Sequence, residues 1–303
     1  MTIIERFDAS LLERGDSPAI VGPSGTPDNT IALRLRTVGS SFFWAVQLLP
    51  YQRREAMYAL YAFCREVDDI ADSHAPYSLK DVLLSDWRSE IELLYAGCPQ
   101  HSVTRALSEP VRAYGLQCSD FLAVIDGMEM DARADIQAPS LEELDLYCER
   151  VAVATGRLSV RIFGEETPVG ERVAAELGRA LQLTKILRYL AKEASRHRLY
   201  LPREMLQAHG IHMTTPSWVL AHPALPDVCC DVAMLAEEHY SVAAKAIAAC
   251  PRHAMRPAAV MLHIYRALLH ELLARGWKRL DEPVRVSPPR KLALLLRHGL
   301  AGR

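Results

Sequence analysis

At 303 residues, half of them hydrophobic and with a formal charge of −2, the chain is long enough to bury a core and line a cavity, and its charge excludes a general attraction for nucleic acid. Its seven cysteines, an odd number without metal-type spacing, fit buried free thiols of a reducing cytoplasm. No basic-then-apolar leader opens the chain, and no apolar run approaches the ~20 residues of a membrane-spanning helix, so a cytoplasmic location is expected.

Residues 1–36 read as an irregular lead-in, with breakers such as Ser17-Pro18 and Gly22-Pro23-Ser24-Gly25. Residues 37–303 read as one helical domain, because no gap is long or polar enough to be a linker. From Ser40 onward apolar residues recur at helical spacing and alternating β-branched runs are missing, which makes the chain all-α. The pattern predicts helices over 52–72, 79–96, 101–114, 119–135, 141–163, 170–194, 227–249, 255–276 and 289–298, with short turns or helices between 202 and 222. Pro50, Gly115, Pro202, Pro251 and Gly276 are among the residues that separate them. Ser140-Leu141-Glu142-Glu143 supplies a capping box for the helix that follows.

The first of these helices carries chemistry. Asp68 and Asp72 are four apart, which places them on one helical face with Cβ atoms ~5–6 Å apart, and Arg65 and Tyr61 continue the same stripe toward the N-terminus. Two carboxylates at this spacing repel unless a cation lies between them, and Mg²⁺ accepts one or two carboxylates together with water and phosphate oxygens. A DxxxD pair alone fits a solvated helix face just as well. Here Met57, Leu60, Ala62, Phe63, Cys64 and Ile70 make the helix apolar on most sides, and acids on a buried helix need a partner.

Asp131 and Asp135 repeat the spacing, but Arg133 lies between them and argues against a metal site there. His209, His212 and His222 lack the spacing of a zinc site. No glycine-rich phosphate loop or dinucleotide fingerprint is present, so no nicotinamide cofactor is expected.

The order of segments around the acidic stripe resembles one known family. Ser40-Ser41-Phe42-Phe43-Trp44-Ala45, Leu48-Leu49-Pro50, Arg53-Arg54-Glu55-Ala56 and Tyr61 to Asp72 are followed by Gly127-Met128-Glu129-Met130-Asp131 and Tyr147-Cys148-Glu149-Arg150-Val151-Ala152. Gly156-Arg157-Leu158-Ser159-Val160, Arg198-Leu199-Tyr200-Leu201-Pro202 and Ile264-Tyr265-Arg266-Ala267-Leu268 complete the set. Over about residues 38–300 the chain is similar to the squalene and phytoene synthases, and within them to the bacterial presqualene diphosphate synthases of the hopanoid pathway. The resemblance implies the isoprenoid synthase bundle around a central hydrophobic cavity. It implies head-to-head condensation of two farnesyl diphosphates to presqualene diphosphate, with Mg²⁺ assisting release of diphosphate. Phytoene or hydroxysqualene synthesis is the alternative enzymatic outcome.

By the same resemblance Asp68 and Asp72 are metal ligands, and Ser40, Ser41, Tyr61, Arg65, Gln182, Arg188 and Tyr265 meet substrate or its diphosphate. A guanidinium fork suits phosphate oxygens. Read from the residues alone, Tyr61 and Tyr265 fit core aromatics equally.

The second acidic motif departs from the family pattern, which reads Gln-Leu-Thr-Asn-Ile-Leu-Arg-Asp, with Glu and Asp three and four residues further on. This chain places Lys185 for the Asn, Tyr189 for the first Asp, Lys192 for the Glu and Glu193 for the last Asp. An ammonium ~4 Å from a divalent ion repels it by about 8 kcal/mol at an effective dielectric of ~20, so a metal cluster on this segment is expected to be weak or missing. Two readings follow: an inactive or weakly active relative that binds prenyl diphosphate or a partner, or a basic stripe of Lys185, Arg188, Lys192 and Arg196 that neutralises diphosphate itself. Val153 and His197 also stand where relatives carry glycine.

After Glu282 the chain has no acid but carries Arg285, Arg290, Lys291, Arg297, His298 and Arg303 among Leu292, Leu294, Leu295, Leu296 and Leu300. A helix opened by Pro288-Pro289 suits either peripheral contact with the anionic inner face of a membrane or packing on the bundle.

Overall fold

A computed structural model describes residues 41–133 and 136–300. The expected lead-in 1–36, Ser40 and Asp135 lie outside them, and of Ser41 only the backbone is described. Among the described residues the structure is all-α, and the pairing of Gln137 with Leu199 is an isolated parallel bridge.

A short helix not foreseen from the sequence, α1 (Ser41–Val46), precedes α2 (Tyr51–Asp72). α2 is buried on most sides, as its composition requires, and Phe63 at its middle meets Trp87 of α3 (Tyr77–Tyr95) and Phe121 of α5 (Cys118–Arg133) edge to face at centroid distances of 5.6 and 5.2 Å. α4 (Ser102–Ala113) lies between α3 and α5 in the chain. The predicted capping box starts α6 (Leu141–Cys148): Glu143 N donates to Ser140 Oγ at 3.1 Å and Ser140 N donates to Glu143 Oε2 at 2.7 Å.

The expected continuous helix over 141–163 is broken by a π-helical turn, Glu149–Val153, before α7 (Ala154–Phe163). α8 (Pro168–Arg188) packs against that turn closely. A Cβ added to Gly178 would lie 3.0 Å from Val153 N and 3.1 Å from the Ala152 carbonyl, so the crossing has room for backbone only. The predicted helix over 170–194 is likewise interrupted, at Tyr189 (φ −109, ψ 17), where α9 (Leu190–Ala194) begins. The i→i−4 bonds Tyr189 N to Lys185 O and Glu193 N to Tyr189 O, 3.1 and 2.8 Å, persist across the break. Short α10 (Arg203–Ala208) and α11 (Pro216–Ala221) lead to the long pair α12 (Leu225–Ala249) and α13 (Arg252–Arg275), and α12 forms the broadest packing with α8. α14 (Pro288–Leu295) ends the bundle with a π turn, Leu296–Leu300.

Between α2, the π turn and α7, α8 and α13 lies an apolar cavity of about 110 Å³. Phe42, Met57, Leu60, Phe163, Leu177 and Met261 are among its walls, and Gln182 is a polar member of the lining.

Candidate active site

The cavity and the charged residues share two helices. Met57 and Leu60 line the cavity from α2, and Asp68 follows Leu60 by eight residues, ~12 Å along the axis. On α8, Leu177, Gly178, Leu181 and Gln182 line the cavity, and Lys185 and Arg188 follow within two turns. Both helices therefore pass from an apolar wall to charged residues toward their C-terminal ends.

At the end of α2 the carboxylates lie close to the negative pole of the helix, a costly place for an acid. Asp68 is 1% exposed. Asp72, the last residue of α2, receives Arg196 Nη1 on Oδ2 at 3.1 Å and Arg198 Nη1 on Oδ1 at 3.2 Å. Lys80 Nζ donates to the Ala71 carbonyl at 2.9 Å, covering the same helix end. These cations offset both the dipole and the acid.

The loop that supplies the arginines is held by a buried polar knot. Asp131, 4% exposed, accepts from Tyr147 OH at 2.9 Å and from Tyr200 OH at 2.5 Å, and its backbone carbonyl accepts from Arg198 Nη2 at 3.2 Å. These bonds give the buried carboxylate its partners. His197 occupies the left-handed region at φ 60, where glycine is the unstrained choice.

The second segment gathers cations. Lys185, 6% exposed, donates through Nζ to Gln182 Oε1 at 3.5 Å. Arg188 lies over the Tyr189 ring at 5.1 Å and Lys192 over the same ring at 5.9 Å. Glu193 is buried, with Oε2 3.9 Å from Arg198 Nη1.

Of the other predicted residues, Arg65 Nε pairs with Asp69 Oδ2 at 2.7 Å on the rim. Tyr61 is buried and stacked on Phe42 at 5.9 Å, Gln182 is buried in the cavity wall, and Tyr265 is buried in α13. Cys64 is one turn before Asp68 on α2, and its thiol is pushed up to about 12, first by burial, with the Asp68 charge adding to the shift, so it stays protonated and packs rather than attacks. Arg198 was not singled out as a site residue from sequence; the signal was its place in Arg198-Leu199-Tyr200-Leu201-Pro202, read only as a family motif. The histidine trio is not assembled as a metal site: His209 Nε2 meets Asp231 Oδ2 at 2.7 Å.

Asp68 and Asp72, one helical turn apart, have the donor chemistry for one hard divalent cation that keeps water or phosphate oxygens as further ligands. On the segment 185–193 the side chains at 185 and 189 are a buried ammonium and a phenol, and Glu193 is its one carboxylate. Among the described residues no three His, Cys, Asp or Glu side chains converge as a protein-only metal cage.

Comparison with known proteins gives the lineage. The family model for squalene/phytoene synthase matches residues 35–291. Presqualene diphosphate synthase from Sinorhizobium fredii is 45% identical over 88% of this chain and 95% of its own length, and that from Zymomonas mobilis is 46% identical over 84% of this chain and 87% of its own. A ligand-bound dehydrosqualene synthase structure superposes with a TM-score of 0.77 at 25% identity, covering 88% of this chain and 93% of that one. A squalene synthase from Alicyclobacillus acidocaldarius shares the fold, with a TM-score of 0.72 at 24% identity over 84% and 94% of the two chains. From α2 to α14 the helices, the apolar cavity and the acidic helix end belong to one architecture, and the chain is a member of the squalene/phytoene synthase family.

Proposed function

We propose that the protein is a presqualene diphosphate synthase that joins two farnesyl diphosphates head to head. The observation that carries this reading is the 45% identity to a presqualene diphosphate synthase across 95% of that protein's length. In the reaction the C–O bond to one diphosphate breaks and its electron pair leaves with the diphosphate. The double bond of the second molecule supplies the pair for the new C–C bond, and loss of a proton from the ionised molecule's C1 lets that carbon bond to the other end of the former double bond, which closes the cyclopropane and releases one proton with the diphosphate.

No nucleophilic side chain is required. The apolar walls exclude water from the allylic cation, and Arg188 supplies donors for departing phosphate oxygens. Asp68 and Asp72 would hold a divalent cation such as Mg²⁺, which when bound would supply positive charge to stabilise the leaving diphosphate. For that, Arg196 must yield its place on Asp72, and its partly exposed side chain permits the exchange. The cavity of about 110 Å³ falls below the ~300–1,000 Å³ of typical small-molecule sites. Two prenyl chains therefore require the walls to give, and the flexible Met57 and Met261 are suited to it.

A lipid product also gives the C-terminal segment a purpose: we assign it to peripheral contact with an anionic bilayer. No helix among the described residues is long and apolar enough to cross one.

The test is incubation of purified protein with labelled farnesyl diphosphate and Mg²⁺, followed by identification of the product. Presqualene diphosphate is expected, and Asp68→Asn should lower its formation by at least ~100-fold, in line with loss of charge stabilisation at the reacting centre. Saturable binding of farnesyl diphosphate without any condensed product would replace this reading with that of a non-catalytic binder.

A further inference from the structure

The second segment has a composition of its own. Between Lys185 and Arg198 stand five cationic side chains, Lys185, Arg188, Lys192, Arg196 and Arg198, and Glu193 is the one carboxylate within the segment. They are held at the charged end of the cavity rather than spread in solvent. Lys185 is buried beside the cavity-lining Gln182, Arg188 and Lys192 are half-buried and both lie against the Tyr189 ring, and Arg196 and Arg198 each contact a different oxygen of Asp72. Within the segment the five cations outnumber the one carboxylate, and an added divalent cation would raise that excess. A multiply charged anion would balance it.

We infer that the Lys185–Arg198 segment is a metal-sparing diphosphate site, in which ammonium and guanidinium donors take the diphosphate of a prenyl diphosphate directly and divalent metal is confined to the Asp68 and Asp72 side. The inference deepens the proposed function and rests on its substrate class. Lys185 faces the anion from the end of α8, a helix pole that itself favours a cation. Arg188 offers a planar fork for two phosphate oxygens. Arg196 meets Asp72 while no metal is bound and is released to the anion when Asp72 takes a cation. Arg198, fixed to the Asp131 carbonyl, is a positioning residue that holds the loop beneath them.

Binding of inorganic diphosphate to the wild-type protein is measured by calorimetry in EDTA, with orthophosphate as control, and bound Mn²⁺ is counted by electron paramagnetic resonance in the presence of diphosphate. Wild type should bind diphosphate without metal, and Lys185→Gln should weaken that binding by at least about tenfold. The combined change Lys185→Asn, Tyr189→Asp, Lys192→Glu and Glu193→Asp should abolish metal-free binding and add at least one Mn²⁺ per chain. Diphosphate binding by wild type that vanishes in EDTA, or equal Mn²⁺ counts in wild type and the fourfold variant, would overturn the inference. Should the fourfold variant not fold, the wild-type titration in EDTA and Lys185→Gln still decide. Metal-free binding without condensed product removes the transferase reading and leaves this site; product formation with strictly metal-dependent binding does the reverse.

Discussion

Asp131 shows how far single residues can be read from sequence. Its DxxxD spacing with Asp135 mimics the metal-type pair at Asp68 and Asp72, and the intervening Arg133 argues against a metal there. The two buried phenols that donate to it give the physical reason. Asp131→Ala leaves both hydroxyls without their acceptor at about 1–3 kcal/mol each, so urea unfolding should show a loss of about 2–6 kcal/mol. Asp131→Asn keeps one acceptor oxygen and should lose less. Equal stability of the alanine variant would mean that the knot is not a structural anchor. Arg198 was harder to read, because its partner Asp72 is 126 positions away and no local pattern records such a pair. The substitutions at 185, 189 and 192 were legible as chemistry. That they leave a buried ammonium beside the cavity wall required the fold.

At the scale of elements, α2 and the capping box of α6 follow directly from apolar spacing and the Ser140/Glu143 pair. The π turn at Glu149–Val153 does not, since one extra residue in a turn barely alters a 3.6-residue pattern. Tyr189 is similar: the hydrogen bonds continue, so the break is a dihedral excursion that periodicity cannot see. The glycine opposite the π turn tests how tight that crossing is. Gly178→Ala puts a methyl group 3.0 Å from Val153 N, against backbone that has no side-chain freedom to retreat. It should destabilise by about 1–3 kcal/mol despite alanine's better helix propensity, as measured by thermal unfolding. A gain in stability would show that α8 and the π turn can separate at no cost.

A second element-scale prediction concerns the docking of the C-terminal π turn on α13. His298 stacks on His263 with ring centroids 3.5 Å apart. His263 is pushed down to about 4, chiefly by burial and then by His298, Arg266 and Arg297, and His298 is lowered by burial, Arg297 and Arg252. Both rings are therefore neutral when docked at pH 7. A base with a depressed folded-state value takes up its proton more readily once released, so docking holds above the ordinary value of 6.5 and weakens as pH falls toward 4. Amide exchange in residues 288–300 should quicken between pH 7 and pH 5 more than in α8, and His263→Phe should flatten that difference. An unchanged pH profile in His263→Phe would remove the pair from the docking equilibrium.

For the molecule as a whole, what the C-terminal segment faces decides where the product goes. Leu294 and Leu295 pack near Ala45, Val260 and Ile264, and Met261 belongs both to that cluster and to the cavity wall. Leu292 and Leu296 are 55% and 48% exposed, and Trp44 on neighbouring α1 is 50% exposed. The sequence showed the leucines and the excess of basic residues but left open whether they pack or protrude, because a short helix can do both. The structure divides them: one face docks beside the cavity and the other stays in solvent with Arg285, Arg290 and Arg297 exposed nearby. Arg290 is tied to Glu271, so part of this charge is already balanced. An extended prenyl product loses ~0.8 kcal/mol per CH₂ on entering water, a cost that a bilayer at this face would remove. Full-length protein should therefore sediment with anionic vesicles at low salt and detach as ionic strength rises and the Debye length shrinks. Truncation after Glu282 or Leu292→Glu with Leu296→Glu should reduce that fraction, the double substitution without disturbing Leu294 and Leu295. Equal sedimentation of all three proteins would assign membrane contact, if present, to another surface.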